Sequence, residues 1–377
     1  MVRTPCGDAD ETVSLSHEGE VVCCACSPRG NLVASGGWDG HVILWEPTTG
    51  KALRAWKAGE KAVTACSFSP RGDRLLVGFM TGLLAEYDLV TQERKAVFLA
   101  HTRTISAICF SPDGKRVATS SWDTTINVWT FEPERNWVTL AGHKDIVAGC
   151  VFFPDNQHLL SWSHDGTLRL WDPERGKALR TWTAHGDRVT AAAVSPDAAW
   201  IASSGRDGQL VLWDASTQEE KGRYPHRRGD LPWCGFTPDA QTLLCVSPAG
   251  EILAWTVPDL HRGARYEVEQ PVQSAVLVPA AEILAVGTVS GRVLFQTLPE
   301  LAQVPVWVTA VESCESRPTF LQRLLGRERP IRVLRCTCPI CHRVFELTQP
   351  GRRTAVCPDC HRRLHVNPFT IPADEQA

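Results

Sequence analysis

Two groups of residues in this chain have the types and spacing to do chemistry. His17, His101, His143 and His185 recur at one slot of a regular interval, and Asp39, Asp123, Asp165 and Asp207 recur at another. With serines and threonines nearby, these are the parts of a hydrolytic triad. Four copies on four separate units cannot converge on one substrate atom, however, so the pattern reads as a repeated structural contact. The second group is Cys338, Cys341, Cys357 and Cys360, spaced C-x2-C-x15-C-x2-C. Each C-x2-C turn presents two thiolates, and four thiolates meet the tetrahedral preference of Zn²⁺ at about 2.3 Å. Iron held by similar Cys-Pro-x-Cys turns is the alternative. With all four positions held by protein there is no vacancy for water or substrate, so the expected zinc is structural. Cys336, His342, His361 and His365 are spare donors beside this set.

What positions the first group is a repeat. Trp45, Tyr87, Trp129, Trp171, Trp213 and Trp255 stand 42 residues apart, and Phe295 follows after 40. Pro28, Pro70, Pro112, Pro154, Pro196 and Pro238 obey the same ruler, with Pro279 one short. A period in the low forties, with Asp-Gly turns ahead of several aromatic strands, predicts four-stranded propeller blades. Unit four parses most clearly: strands at Ile146 to Phe153, His158 to Ser163, Thr167 to Trp171 and Ala178 to Thr183, separated by turn residues. The expected architecture is all-β, a seven-bladed propeller over residues 12–312. A tail (1–11), a linker (313–332), a zinc module (333–371) and a second tail (372–377) complete the chain.

The chain resembles the WD-repeat family: Trp-Asp ends units four and five (Trp171-Asp172, Trp213-Asp214) and Gly142-His143 opens unit four. That resemblance implies a hydrogen-bonded tetrad in each intact unit. The matching sets are His17-Ser35-Asp39-Trp45, His101-Thr119-Asp123-Trp129, His143-Ser161-Asp165-Trp171 and His185-Ser203-Asp207-Trp213. Unit two (Gly59, Val77, Thr81, Tyr87) and unit six (Arg227, Cys245, Ala249, Trp255) have lost the polar partners together. Leaving one buried partner alone would cost on the order of 1–3 kcal/mol, so a tetrad is best kept whole or dropped whole. The family usually borrows the last blade's outer strand from the N-terminus, here Thr12 to Leu15. The outer-strand slot, Trp56, Phe98, Leu140, Trp182, Tyr224 and Tyr266, points instead, by a slight margin, to Trp307, and pairing by both segments would make a five-stranded blade.

Composition fits this plan: 377 residues, 43% hydrophobic, formal charge -3, room for one propeller and a small appendage. No apolar run is long enough to cross a bilayer and the first twenty residues are polar, so a cytoplasmic protein without a membrane partner is expected. Cys24, Cys66, Cys150 and Cys234 share a slot filled elsewhere by Ile108 and Ala192, which asks for compact apolar volume and reduced thiols. Arg outnumbers Lys 31 to 8, a hint of a bacterial source.

Beyond Glu312 the composition changes: residues 317–363 hold eleven Arg, no Lys and three acids. The four-cysteine module looks like a zinc ribbon. Its arginines either offset the -2 charge of a tetrathiolate zinc or grip RNA, DNA or an acidic protein. On the propeller, the slot ahead of the turn Asp reads Trp38, Met80, Trp122, His164, Arg206, Pro248 and Val289, a position where the family's ligand contacts often stand. Trp and Arg anchor protein interfaces. Small Thr64, Ser106 and Thr190 would leave the channel mouth open. The expected function is a non-catalytic protein-interaction adaptor with no phosphate loop, open metal site or unique nucleophile. A nucleic-acid-associated adaptor is the alternative. The domain order also resembles propeller components of bacterial systems built around a MoxR-type ATPase and a von Willebrand A-type protein, some proposed to act against phage, which implies an ATPase-containing complex as a possible context.

Overall fold

The computed structural model describes residues 16–131, 135–226, 230–279 and 282–298, and the strands that lie between 307 and 372. Seven antiparallel sheets follow one another along the first part of the chain, each pairing its strands in sequence order. The chain therefore forms a seven-bladed β-propeller. In blade four the strands are Val147–Phe152, Leu159–Ser163, Thr167–Asp172 and Lys177–Thr183, every end within one residue of the sequence parse.

Strand alternation explains how the blades stack. Leu159 and Trp171 face blade three, sharing a core with Ala118, Ile126 and Val128. Leu160 and Leu168 face blade five, packing with Val189, Ile201 and Trp213. Each inner strand is thus covered on both faces, and those four residues are at most 1% exposed. Outer strands lack that second cover. Lys51–Lys57 alternates exposed and half-buried positions along its whole length.

A second device ties blade to blade. Thr64 Oγ1 donates to the Ile105 carbonyl at 2.6 Å, Thr190 Oγ1 to Leu231 at 3.0 Å, and Ser274 Oγ to Val21 at 3.0 Å. Ser106 makes the equivalent bond to Val147. These hydroxyls are stitches, a role that the expectation of small residues leaving a pocket open does not include. Thr64, Ser106 and Ser274 each reach the first residue of the next inner strand and Thr190 a residue two ahead of it, each for a net stabilisation of about 1 kcal/mol. The Ser274 stitch crosses the seam between blades seven and one. There Val21, Ile43 and Trp45 also share a core with Val278, Ile283 and Val293, which closes the ring.

Among the described residues blade seven has three strands, Val272–Val278, Ile283–Thr288 and Val293–Thr297. The preference for Trp307 as its outer strand is corrected: Trp307–Val308 pairs in parallel with Arg363–Val366. The competing segment, Thr12 to Leu15, lies outside the described residues. One contact bears on it. The His17 N–H donates to Gly291 of the blade-seven turn at 3.0 Å, as His101 does to Gly82 at 3.1 Å and His185 to Gly166 at 3.2 Å. Gly82 and Gly291 have φ of +82° and +85°, and a Cβ on either would strike the carbonyl of His101 or His17. His101 directly follows an outer strand, so His17 stands to blade seven as His101 stands to blade two.

A second compact unit begins at Leu298. Val311–Glu315 lies between Ile331–Thr337 and Ile371–Pro372 in a four-stranded sheet completed by Val344–Leu347. Two hairpins stand out: one ends on the pair Thr337 and Val344, the other on Val356 and Arg363. Cys338 and Cys341 fall in the first connection, Cys357 and Cys360 in the second, and all four lie outside the described residues.

Candidate functional site

The recurring histidines come together with their partners in four blades. In blade four, His143 Nδ1 is 2.9 Å from Asp165, its Nε2 is 2.8 Å from Ser161 Oγ, and Trp171 Nε1 donates to that same oxygen at 2.8 Å. Blade one repeats this through His17, Ser35, Asp39 and Trp45, with distances of 3.1, 2.8 and 2.8 Å. In blade three the bonds run through His101, Thr119, Asp123 and Trp129 at 2.9, 2.8 and 2.9 Å. In blade five His185, Ser203, Asp207 and Trp213 give 3.0, 2.9 and 2.9 Å.

Proton bookkeeping fixes the direction of each chain. An indole N–H can only donate, so the hydroxyl accepts from Trp and sends its own hydrogen to His Nε2. A neutral imidazole then keeps its proton on Nδ1 and donates it to the carboxylate. Burial, the largest influence, pulls the pKa of His17, His143 and His185 below the ordinary value, which suits this neutral form. For Asp165 burial pushes upward, but hydrogen bonds from His143, Thr167 and the Lys144 N–H outweigh it and hold the carboxyl low. Asp39, Asp123 and Asp207 are held low in the same way. The Asp also grips its own turn: Asp165 accepts the Thr167 N–H at 3.0 Å. Ser35, Ser161 and Ser203 are fully buried, so none can meet a substrate. The arrangement is a set of latches.

Blade two compensates for its missing latch by size. Gly59 replaces the His, and the ring of Phe79 occupies the space, 2.6 Å from where a Cβ on Gly59 would stand. In blades one and five the Phe79 slot is Gly37 and Gly205, where a Cβ would lie 2.5 Å from the imidazole of His17 or His185. The lost His is visible in the sequence, but this exchange with a residue 20 positions away is not. Tyr87 meanwhile donates its hydroxyl to the Ala58 carbonyl at 3.4 Å.

The slot ahead of the turn Asp is presented uniformly. The backbone N–H of Trp38 donates to Glu20 at 3.0 Å, Met80 to Ala62 at 3.1 Å, Trp122 to Thr104 at 3.0 Å, His164 to Ile146 at 2.9 Å, Arg206 to Arg188 at 2.8 Å and Val289 to Pro271 at 3.0 Å. The main chain is pinned while the side chains vary. Trp38 is 51% exposed, Trp122 41% and Val289 37%; Arg206 is exposed, and Met80, His164 and Pro248 are half-buried. Beside this ring a cavity of about 510 Å³ opens between His164, Thr190, Asp230, Pro232, Pro248 and Val289. His164 Nδ1 is buried there without a partner among the described residues, and burial, followed by Arg188, lowers its pKa.

The cysteines of the inner strands behave as packing groups. Cys66, Cys150 and Cys234 are buried and Cys24 half-buried, all as free thiols. Burial pushes Cys24 and Cys234 up to about 12, far from a reactive thiolate. Cys109 and Cys150, from offset slots of adjacent blades, bring their sulfurs to 3.9 Å. Among the described residues no helix is long and apolar enough to cross a membrane.

Comparison with known proteins agrees with this geometry. Residues 10–46, 92–130, 135–172 and 176–214 each match the WD domain, G-beta repeat. Those four stretches contain the four latches, and the chain carries WD40 repeats. A curated relative, Pre-rRNA-processing protein IPI3 of Mycosarcoma maydis, is 46% identical over 41 residues, which is 11% of this chain and 7% of that protein. The match therefore spans about one repeat.

Proposed function

We propose that the chain is a non-catalytic adaptor that docks a protein partner on the propeller face bearing Trp38, Met80, Trp122, His164 and Arg206. The carrying observation is the exposure of Trp38 and Trp122, two large rings in one slot, each on a hydrogen-bonded backbone. Rigid aromatic anchors lose little entropy on binding and dominate interface energetics. The recurring His, Ser and Asp are consumed by latches, whose Ser and Thr hydroxyls are buried.

In this reading Cys338, Cys341, Cys357 and Cys360 hold a structural Zn²⁺. The two hairpins support it, because each C-x2-C falls in the connection of an antiparallel pair, where a zinc ribbon carries its ligands. Bound zinc would supply cross-linking in a unit too small for a large core. Its metal content per chain should fall from about one to near zero in Cys338→Ser/Cys341→Ser.

A second reading rests on charge. Residues 317–377 carry 11 Arg against 5 acids, a net +6 that suits RNA or DNA. The printed name of the one-repeat relative concerns pre-rRNA processing, which is compatible with it. Pull-down with the wild type, Trp38→Ala/Trp122→Ala and Cys338→Ser/Cys341→Ser assigns the partners to surfaces. If the tryptophan pair changes nothing bound, the docking face is wrong. A salt-dependent gel shift that survives the tryptophan pair but not the cysteine pair would favour nucleic acid.

A further inference from the structure

Blade two keeps a cavity of about 390 Å³ beside Gly59, Phe79 and Thr81, but its Tyr87 hydroxyl is bonded; blade six combines a cavity with a latch donor that has no partner among the described residues. The blade-six cavity, of about 370 Å³, is lined by His226, Ser247, Glu251, Trp255, Arg262 and Arg265 among others. Trp255 is 6% exposed. Of the third-strand rings with a polar atom, its Nε1–H is the one without a hydrogen-bond partner among the described residues. In four other blades that donor meets a Ser or Thr hydroxyl; here the slot is Cys245. Both ring nitrogens of His226 are likewise shielded and unpartnered among the described residues.

The remaining groups set the sign of a ligand. Ser247 Oγ accepts the Glu251 N–H at 3.0 Å, which leaves its hydroxyl hydrogen to donate. Arg265 pairs with the buried Glu251 carboxylate, so the acidic group already has its counter-charge. Arg262 stands opposite Trp255 across the strand pair and makes no ion pair among the described residues. Arg265 also lies 3.9 Å from Glu267, so the positive charge left to meet a ligand is that of Arg262. An indole N–H, a hydroxyl, an imidazole and a guanidinium around a small cavity match the lone pairs of an oxyanion. The volume is in the range of small-molecule sites.

We propose that this cavity is a binding site for a small oxyanion, a phosphate or carboxylate group received by Trp255, His226, Ser247 and Arg262. The site is independent of the Trp38 and Trp122 face, so either can fail alone. Isothermal titration of the full chain with inorganic phosphate, and separately with acetate, tests it. Trp255→Phe keeps an aromatic ring and removes the N–H, while Arg262→Ala removes an exposed guanidinium. Saturable binding of either anion, weakened about tenfold by each substitution, supports the site. O-phosphoserine that competes with phosphate would point to a modified residue of a partner as the source; failure to compete would point to the free ion. The proposal is overturned if neither anion saturates at millimolar concentration, or if binding ignores both substitutions.

Discussion

Blades four and six have the same strand order and opposite interiors. In blade four every polar atom of the latch has a partner, and the turn is gripped by Asp165. In blade six the Trp is kept, its partners are gone, and a cavity takes their place. The propeller tolerates this because a blade is held chiefly by stacking: Trp255 still packs with Leu210, Leu212 and Leu260. Latches thus refine a fold that neighbouring sheets already secure. A unit without one is free to acquire another use.

The largest effect should come from attacking the stacking itself. Removal of residues 1–15 takes away the segment that enters at His17, whose bond to Gly291 reproduces the exit of a normal outer strand. We expect a melting temperature lower by roughly 10 °C or more, since an unpaired edge and an uncovered blade face would both be left. Truncation before Trp307 should have far less effect on the propeller transition in calorimetry. The reverse ranking would restore the Trp307 closure.

Next in size is the latch. His143→Ala or Asp165→Ala alone should destabilise by about 1–3 kcal/mol, through an orphaned buried partner. The double variant should lose much less than the sum, because each removal already strands the other. Denaturant midpoints of the three variants check this; strict additivity would show that His143 and Asp165 do not act as a pair. In blade six, where the slot residue is Ala249, no comparable coupling can be measured.

Acid should act on the same groups. His17, His143 and His185 have folded pKa values below the unfolded value near 6.5, so their contribution is complete above that pH. It is lost as pH falls from about 6.5 toward the folded values, because the unfolded chain takes up protons first. The depressed Asp39, Asp123, Asp165 and Asp207 add their loss only below about 4. Urea midpoints should fall between pH 7.5 and 5.5, with a shallower slope in His143→Gln. An equal slope would deny His143 a role in the acid response.

How much of this could be read from sequence depended on whether a feature repeats. The 42-residue ruler carried the blades, the strand ends and the membership of each latch, because the same physical demand is written four to seven times. Features that occur once, or whose partner lies in another blade, were harder. Trp307 matches the outer-strand slot by residue type, yet residue type does not say which sheet a strand joins, and it pairs with Arg363–Val366. Thr64, Ser106 and Thr190 are small, but their hydroxyls reach the next blade, a long-range fact that local pattern does not record. Phe79 filling the place of a lost His required knowing that two slots 20 residues apart touch.

The smallest effect separates the two blades most cleanly. Trp171→Phe and Trp255→Phe delete the same N–H from the same strand position. In blade four the deletion leaves the Ser161 oxygen short of a donor at a fully buried site, so a loss of about 1 kcal/mol is expected. In blade six the deleted N–H has no partner among the described residues, and burying it costs free energy, so Trp255→Phe should leave stability unchanged or slightly raised. Phosphate turns this into a sharper contrast. If an anion occupies the cavity, adding it should raise the wild-type melting temperature and reveal a deficit in Trp255→Phe that buffer alone hides, while Trp171→Phe should gain from phosphate as the wild type does. Equal phosphate responses in all three proteins would return blade six to the status of an imperfect blade four.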